Sequence, residues 1–180
     1  ERALALRFYA NINEATFKLT GMYEAMAKEG EDASAKVQLA MQNATDAVDG
    51  TAYSLDSAAM AAANLAASGV EAGDQLYGTL RSIAGIAAMS GRDYDSVAQI
   101  VSTIAGQGKL MTMQLRQFEM SGLNVAAVMA QAMDKTEEEI RDMVTAGDIS
   151  FELFSEIMEE KFAGAAGKAN ETFSGSLANI

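Results

Sequence analysis

The chain has 180 residues and a formal net charge of −12, with no proline, no histidine and no cysteine. The missing His and Cys exclude Cys/His zinc sites, disulfides, thiol nucleophiles and every nucleophile–histidine arrangement, and a surface this acidic repels nucleic-acid backbones and anionic membranes. With no proline to interrupt a helical turn, roughly a fifth of the chain alanine, and few aromatics, the composition predicts an all-α protein.

In chain order, the first element is a long helix over Arg2 to Lys28. Its stripe is Leu4, Phe8, Ile12, Ala15, Leu19, Met22 and Met26, recurring at three- and four-residue steps. A second helix over Ala33 to Val48 places Val37, Met41, Ala44 and Val48 on one face. Residues 1–49 therefore read as a long helix or N-terminal helical hairpin. Its stripe needs a cover, either from the rest of the chain or from another subunit. Residues 50–180 read as a second unit of shorter, better-capped helices.

Glycine punctuates the whole chain. Breaks are expected at Gly30, Gly50, Gly69, Gly91, the Gly106/Gly108 pair, Gly122, Gly147 and Gly164, because glycine accepts the left-handed geometry that closes a last helical turn. Asp56 is the expected cap of a helix to about Ser68, and Glu71 the opening of the next. That helix carries Leu76, Leu80, Ile83, Ala87 and Met89 and ends at Gly91. Asp93 starts a helix with Val97, Ile100, Val101 and Ile104 on one stripe. Thr136 with Glu139 is a capping box ahead of Ile140, Met143 and Val144. Ser150 caps a helix bearing Phe151, Phe154, Ile157, Met158 and Phe162. The closing run AGAAGKANETFSGSLANI reads as a last weak helix or as the lead-in to something further on. Between six and nine helices in an irregular multi-helix bundle are expected, since no heptad survives the glycines.

Few residues suggest chemistry. AGQGKL at Ala105 to Leu110 lacks both the early glycine and the Ser/Thr of a phosphate-cradling loop, with Thr103 and Leu110 at those positions. It reads instead as a helix stop and a turn in which Gly106 and Gly108 take positive φ. The run Glu137–Glu139 is explained by the helix dipole and the capping box. The pairs Asp93/Asp95 and Glu159/Glu160 have no tryptophan-lined sugar groove around them. No catalytic, cofactor or metal site is expected. The scattered Arg81, Arg92, Lys109, Arg116 and Arg141 predict no specific nucleic-acid binding. The most apolar stretch, Ala58 to Ala67, is short and broken by Asn64, so no membrane span is expected in this part of the chain.

Methionine is the residue type left over. Met111, Met113, Met120, Met129 and Met133 cluster near the middle of the second unit, and methionine both fills core gaps and makes adaptable contact surfaces. Helical spacing puts Met113, Gln117 and Met120 on one face and Leu115 and Phe118 on a neighbouring one. Such a helix is buried either by its own domain or by a partner. Met111, Met113, Leu115, Phe118 and Met120 are therefore the candidate protein-contact face.

The order of several blocks carries a family resemblance. GTAYSLDSAAMAAANLAASGV (Gly50 to Val70), AGIAAMSGRDYDSVAQIVSTIAGQGKL (Ala84 to Leu110), QLRQFEMSGLNVAAVMAQAM (Gln114 to Met133), TEEEIRDMVTAGDISFELFSEIMEEKF (Thr136 to Phe162) and ANETFSGSLANI (Ala169 to Ile180) follow one another without large gaps. Together they resemble the conserved domain of bacteriophage and prophage tail tape measure proteins, over roughly the last 130 residues. The resemblance implies a structural role in tail assembly and tail-length determination. It also implies tail proteins as partners (tail tube, tail assembly chaperone, tail tip), self-association, and a place in the virion tail after assembly in the host bacterial cytoplasm. Starting at Glu1 and not at methionine, and stopping at Ile180 without a terminating signal, the sequence is expected to be part of a longer protein. The competing expectation, from a different class, is a cytoplasmic helical adaptor or chaperone-like binding module unrelated to phage.

Overall fold

The computed structural model describes residues 1–170, and the closing segment read as a weak helix or lead-in lies mostly outside them. Among the described residues there are nine complete helices and no strand: α1 (Arg2–Met26), α2 (Ala33–Val48), α3 (Leu55–Ala67), α4 (Asp74–Ser90), α5 (Tyr94–Gln107), α6 (Thr112–Met120), α7 (Val125–Met133), α8 (Glu137–Ala146) and α9 (Phe151–Phe162). Residues 165–170 are again helical.

The caps explain most of these boundaries. Asp32, Asp93, Asn124, Thr136 and Ser150 each accept a backbone N–H of the first turn they precede, and both halves of the Thr136/Glu139 box are present. The Asp93 carboxyl is held below the usual carboxylate range by the hydrogen bonds from the Ser96 side chain and backbone. At the other ends, Gly69, Gly122 and Gly147 close their helices with paired bonds back into the last turn, such as Val70 N–H to Leu65 O at 3.0 Å and Asp148 N–H to Met143 O at 2.9 Å.

Three expectations are corrected. Ser54, in extended conformation, is the residue that precedes α3, and Asp56 lies inside the first turn. There its carboxylate accepts from Asn11 Nδ2 at 2.8 Å and ties α1 to α3. Helix α4 opens at Asp74 and not at Glu71, because Gly73 adopts φ 119°, ψ −146°, and donates its N–H to Asn43 Oδ1 at 2.8 Å. Of the Gly106/Gly108 pair only Gly108 has positive φ; Gly106 is still helical. The break expected at Gly164 is present, with α9 ending at Phe162, a turn at residues 163–164 and helix again from 165, but without positive φ at the glycine.

Alanine sets the architecture. Helix α3 buries Ala58, Ala59, Ala61, Ala62, Ala63, Leu65 and Ala66, on nearly every face, and it packs against α1, α2, α4 and α5. Side chains this small let four helices approach one axis, at a cost in volume that Leu19, Leu76, Leu80, Ile83 and Ile104 make up around it. On the far side, α4 packs against α9. Gly85 lies so close to the Phe162 carbonyl that a Cβ there would overlap it, and buried Thr79 Oγ1 lies 3.2 Å from Ser155 Oγ.

Apolar residues of the N-terminal hairpin join those of the later helices in a single buried cluster running from Ala15 to Ala166. Polar links reinforce the join. Besides Asn11–Asp56 and Asn43–Gly73, the Arg81 guanidinium of α4 donates to Ala47 O at 2.9 Å and Asp49 O at 3.1 Å. Those carbonyls lie at the end of α2, where Asp49 follows the last turn in extended geometry and left-handed Gly50 turns the chain, with Thr51 N–H donating to Val48 O at 3.0 Å. Within α1, Ala15 and Leu19 of the predicted stripe are buried and Ile12 and Met22 partly so. Leu4 and Met26 are exposed, and Tyr23 takes the buried place instead.

Candidate protein-contact surface

Helix α6 is held from several directions before its outer face comes into play. Upstream, the AGQGKL segment ends α5 at left-handed Gly108 and then pairs antiparallel with the lead-in to α9. Leu110 N–H donates to Ile149 O at 2.9 Å, and Phe151 N–H donates to Gly108 O at 3.0 Å. This short bridge is what the Gly-Lys motif builds. Downstream, Glu119 forms an ion pair with Arg141 of α8 at 2.6 Å, and Gly122 closes the helix.

The five residues of the candidate face divide into two groups. Leu115 and Phe118 are 2% and 1% exposed, and the Phe118 ring stacks on Phe154 of α9 with centroids 5.9 Å apart. Met111, Met113 and Met120 remain open to solvent, Met113 at 67% and Met120 at 83%. The division follows helix geometry: Leu115 and Phe118 are three residues apart on the inward side, while Met113 and Met120, with Gln117 between them, lie one above the other on the outward side. Beside Met113 runs an open groove of about 430 Å³ between α5 and α6, lined by Arg92, Ser96, Gln99, Ile100, Thr103, Gln114 and Gln117. Its walls are amides, hydroxyls and one guanidinium, beside the Ile100 side chain and the thioether of Met113.

The remaining acidic groups have structural placements. Glu137, Glu138 and Glu139 occupy the first turn of α8, and Glu159 leans over Gly78 of α4. Among the described residues no three carboxylates converge as a metal site, and no helix is long and apolar enough to cross a membrane. The tyrosine most displaced from its ordinary acidity is Tyr94. Burial pushes its hydroxyl up, with Asp95 and Tyr53 adding to the shift, and it donates to Leu80 O at 3.1 Å. That is a packing role, joining α5 to α4.

Two surfaces escaped the reading of the sequence. The outer side of α1 carries exposed Leu6, Tyr9 and Phe17, which belong to a second stripe hidden by the stronger inner one. Asn43 and Arg81, which fasten the hairpin, carry no sequence signal of their own, because their partners are backbone groups distant in the chain.

The fold defines an all-helical, multi-helix protein. A family profile described as tape measure protein matches residues 9–180, and the chain belongs to that family, whose members are structural components of phage tails. The match crosses the Asp49/Gly50 boundary and takes in nearly all of the N-terminal hairpin, further upstream than the motif blocks reached. No curated protein and no solved structure gives a significant match.

Proposed function

We propose that this chain is a folded module of a phage tail tape measure protein that takes part in tail assembly and, through it, in setting tail length. The observation that carries this reading is the family match across residues 9–180 on a body whose helices turn back on one another. Spun out as one helix, 180 residues would reach about 270 Å at about 1.5 Å per residue. The longest helix present is the 25-residue α1. A body folded in this way adds little length to a ruler and offers surfaces to partners instead.

The partners of this reading are tail proteins: tail tube, tail assembly chaperone and tail tip. The contact face is Met111, Met113 and Met120, with Leu115 and Phe118 as the rigid backing. Exposed methionines on a short helix anchored by a stacked phenylalanine pair give an adaptable surface on a fixed support. The site of action is the virion tail, after assembly in the host bacterial cytoplasm, and residues 1–49 serve as a hairpin clamped on the 50–180 unit.

Deleting the segment equivalent to 50–180 from the full-length gene and imaging the particles tests the proposal. Loss of tails is the expected result. Tails shortened in proportion to the residues removed would make the segment passive ruler length, and unchanged, infectious particles would overturn an assembly role. The double change Met113→Glu and Met120→Glu separates surface from fold. It should leave thermal stability within a few degrees of the parent and still reduce tail yield.

A further inference from the structure

Helices α1 and α3 lie side by side and point the same way. Asn11 bonds Asp56 at the start of α3. Further along both, Tyr23 and Met26 face Ala66, Ala67 and Gly69 across a cavity of about 480 Å³. Lys36 and Leu39 of α2 and the connection from Val70 to Ala72 complete its wall. The last turns of α1 and α3 carry no basic residue, so the negative ends of two helix dipoles lie here together. Ser68, Gly69 and Val70 return their N–H groups to Asn64, Leu65 and Ala66, which leaves the Ala67 carbonyl without a backbone donor. The positive end of α2 is already capped by Asp32, and Lys36 is paired with Glu31 at 3.4 Å. Glu71, on the same wall, belongs to no ion pair among the described residues. Tyr23 marks the cavity as more than a gap between helix ends. Its side chain is 6% exposed, and its buried hydroxyl has no hydrogen-bond partner among the described residues. A buried hydroxyl left alone costs free energy that a bound group recovers. Burial and the Glu71 carboxylate push the phenol above its ordinary pKa, so it stays neutral beside the anion.

We propose that this cavity binds a primary ammonium on a short aliphatic stem, the chemistry shared by a free alkylamine and a lysine side chain. An ammonium carries three donors and no acceptor. Tyr23 Oη, the Glu71 carboxylate and the Ala67 carbonyl are three acceptors that no other donor occupies among the described residues. Met26 and Leu39, both exposed to water, and Val70 line the path of the stem. A cation with an apolar stem therefore covers apolar wall and satisfies the polar end in one move. A carboxylate of the same length would meet Glu71 and the negative ends of both helices. A neutral alcohol would gain nothing from either.

The test titrates the 180-residue chain with pentylamine, present as its cation, and follows backbone amides by NMR. Gly69, Val70 and Glu71 are expected to shift saturably, in the millimolar range or tighter. Pentanol and valerate, matched in length, should bind about fivefold more weakly or worse. Glu71→Gln should weaken the amine about fivefold. Tyr23→Phe should weaken it about threefold or more, and should raise the urea midpoint of the chain without amine, because it removes an unpartnered buried hydroxyl. A blocked tripeptide with a central lysine separates the two sources. Tighter binding than pentylamine assigns the cavity to a protein side chain, and weaker binding assigns it to a free amine. No saturable shift with either cation, equal binding of pentanol or valerate, or indifference to both substitutions would each overturn the inference.

Discussion

Gly85 and Gly21 are both glycines in mid-helix, and the two are predicted to respond in opposite ways to the same substitution. A Cβ at Gly85 would overlap the Phe162 backbone carbonyl, and backbone in a packed pair of helices has little room to yield. Gly85→Ala should therefore cost about 3 kcal/mol, near the upper range for overpacking. A Cβ at Gly21 meets no atom within 4 Å, so Gly21→Ala should stabilise by about 0.5–1 kcal/mol through the unfolded chain's lost freedom. Urea midpoints of the two variants, measured beside the parent, check both signs. A third residue gives a pH dependence. Partial burial alone would raise the Asp56 carboxyl, but hydrogen bonds from Ser54, Asn11 and nearby backbone N–H groups outweigh it and hold the group low. A depressed folded-state value means a stabilisation fully present above the ordinary aspartate value, about 3.9. That stabilisation is lost as pH falls through the lower folded-state value. Asp56→Asn should flatten the melting-temperature profile below about pH 4 while leaving its shape near neutrality. An unaltered acid limb would show that the Asn11 link contributes nothing.

At the scale of elements, the N-terminal hairpin is fastened at helix ends, by side chains from distant segments. At the end of α2 Arg81 takes the Ala47 and Asp49 carbonyls, and at the start of α4 Asn43 takes the Gly73 N–H. Arg81→Ala is expected to cost about 1–2 kcal/mol, the net worth of losing charge-assisted bonds at a partly exposed site. Arg81→Lys should recover part of it, because both bonds come from one nitrogen, Nη1, a role that an ammonium with several donors also fills. Chemical denaturation of both variants decides this, and amide exchange should show the loss concentrated in the last turn of α2. The caps and stops of α5, α8 and α9 were legible in the sequence, being local: a side chain two or three residues away supplies the bond. The opening of α4 was not, since Gly73 takes its geometry from Asn43, thirty residues earlier in the chain. Nor was the division of the methionine face. Spacing places Leu115 and Phe118 on one side of α6 and Met113 and Met120 on another, but only the position of Phe154 decides which side is inward.

For the whole molecule, α3 is the axis on which the hairpin and the later helices meet. Its alanines gain only modest burial energy individually, roughly 25 cal/mol per Å² of apolar surface, so stability rests on having neighbours on every side. A chain beginning at Gly50 would uncover the sides of α3 and α4 that α1 and α2 occupy. It is expected to melt at least 10 °C lower than the full chain and to bind a hydrophobic dye, as calorimetry and dye fluorescence would show. An unchanged melting temperature would instead make the 50–180 unit self-sufficient. The sequence by itself determined the all-helical class and most helix boundaries, because propensity, capping and glycine geometry act within a few residues, and the order of its motif blocks carried the family resemblance. Tertiary structure alone decided which of α1's two stripes is buried and which methionines remain outside. It also decided that the hairpin shares a core with the rest, because each of those outcomes depends on what packs across the gap between distant segments.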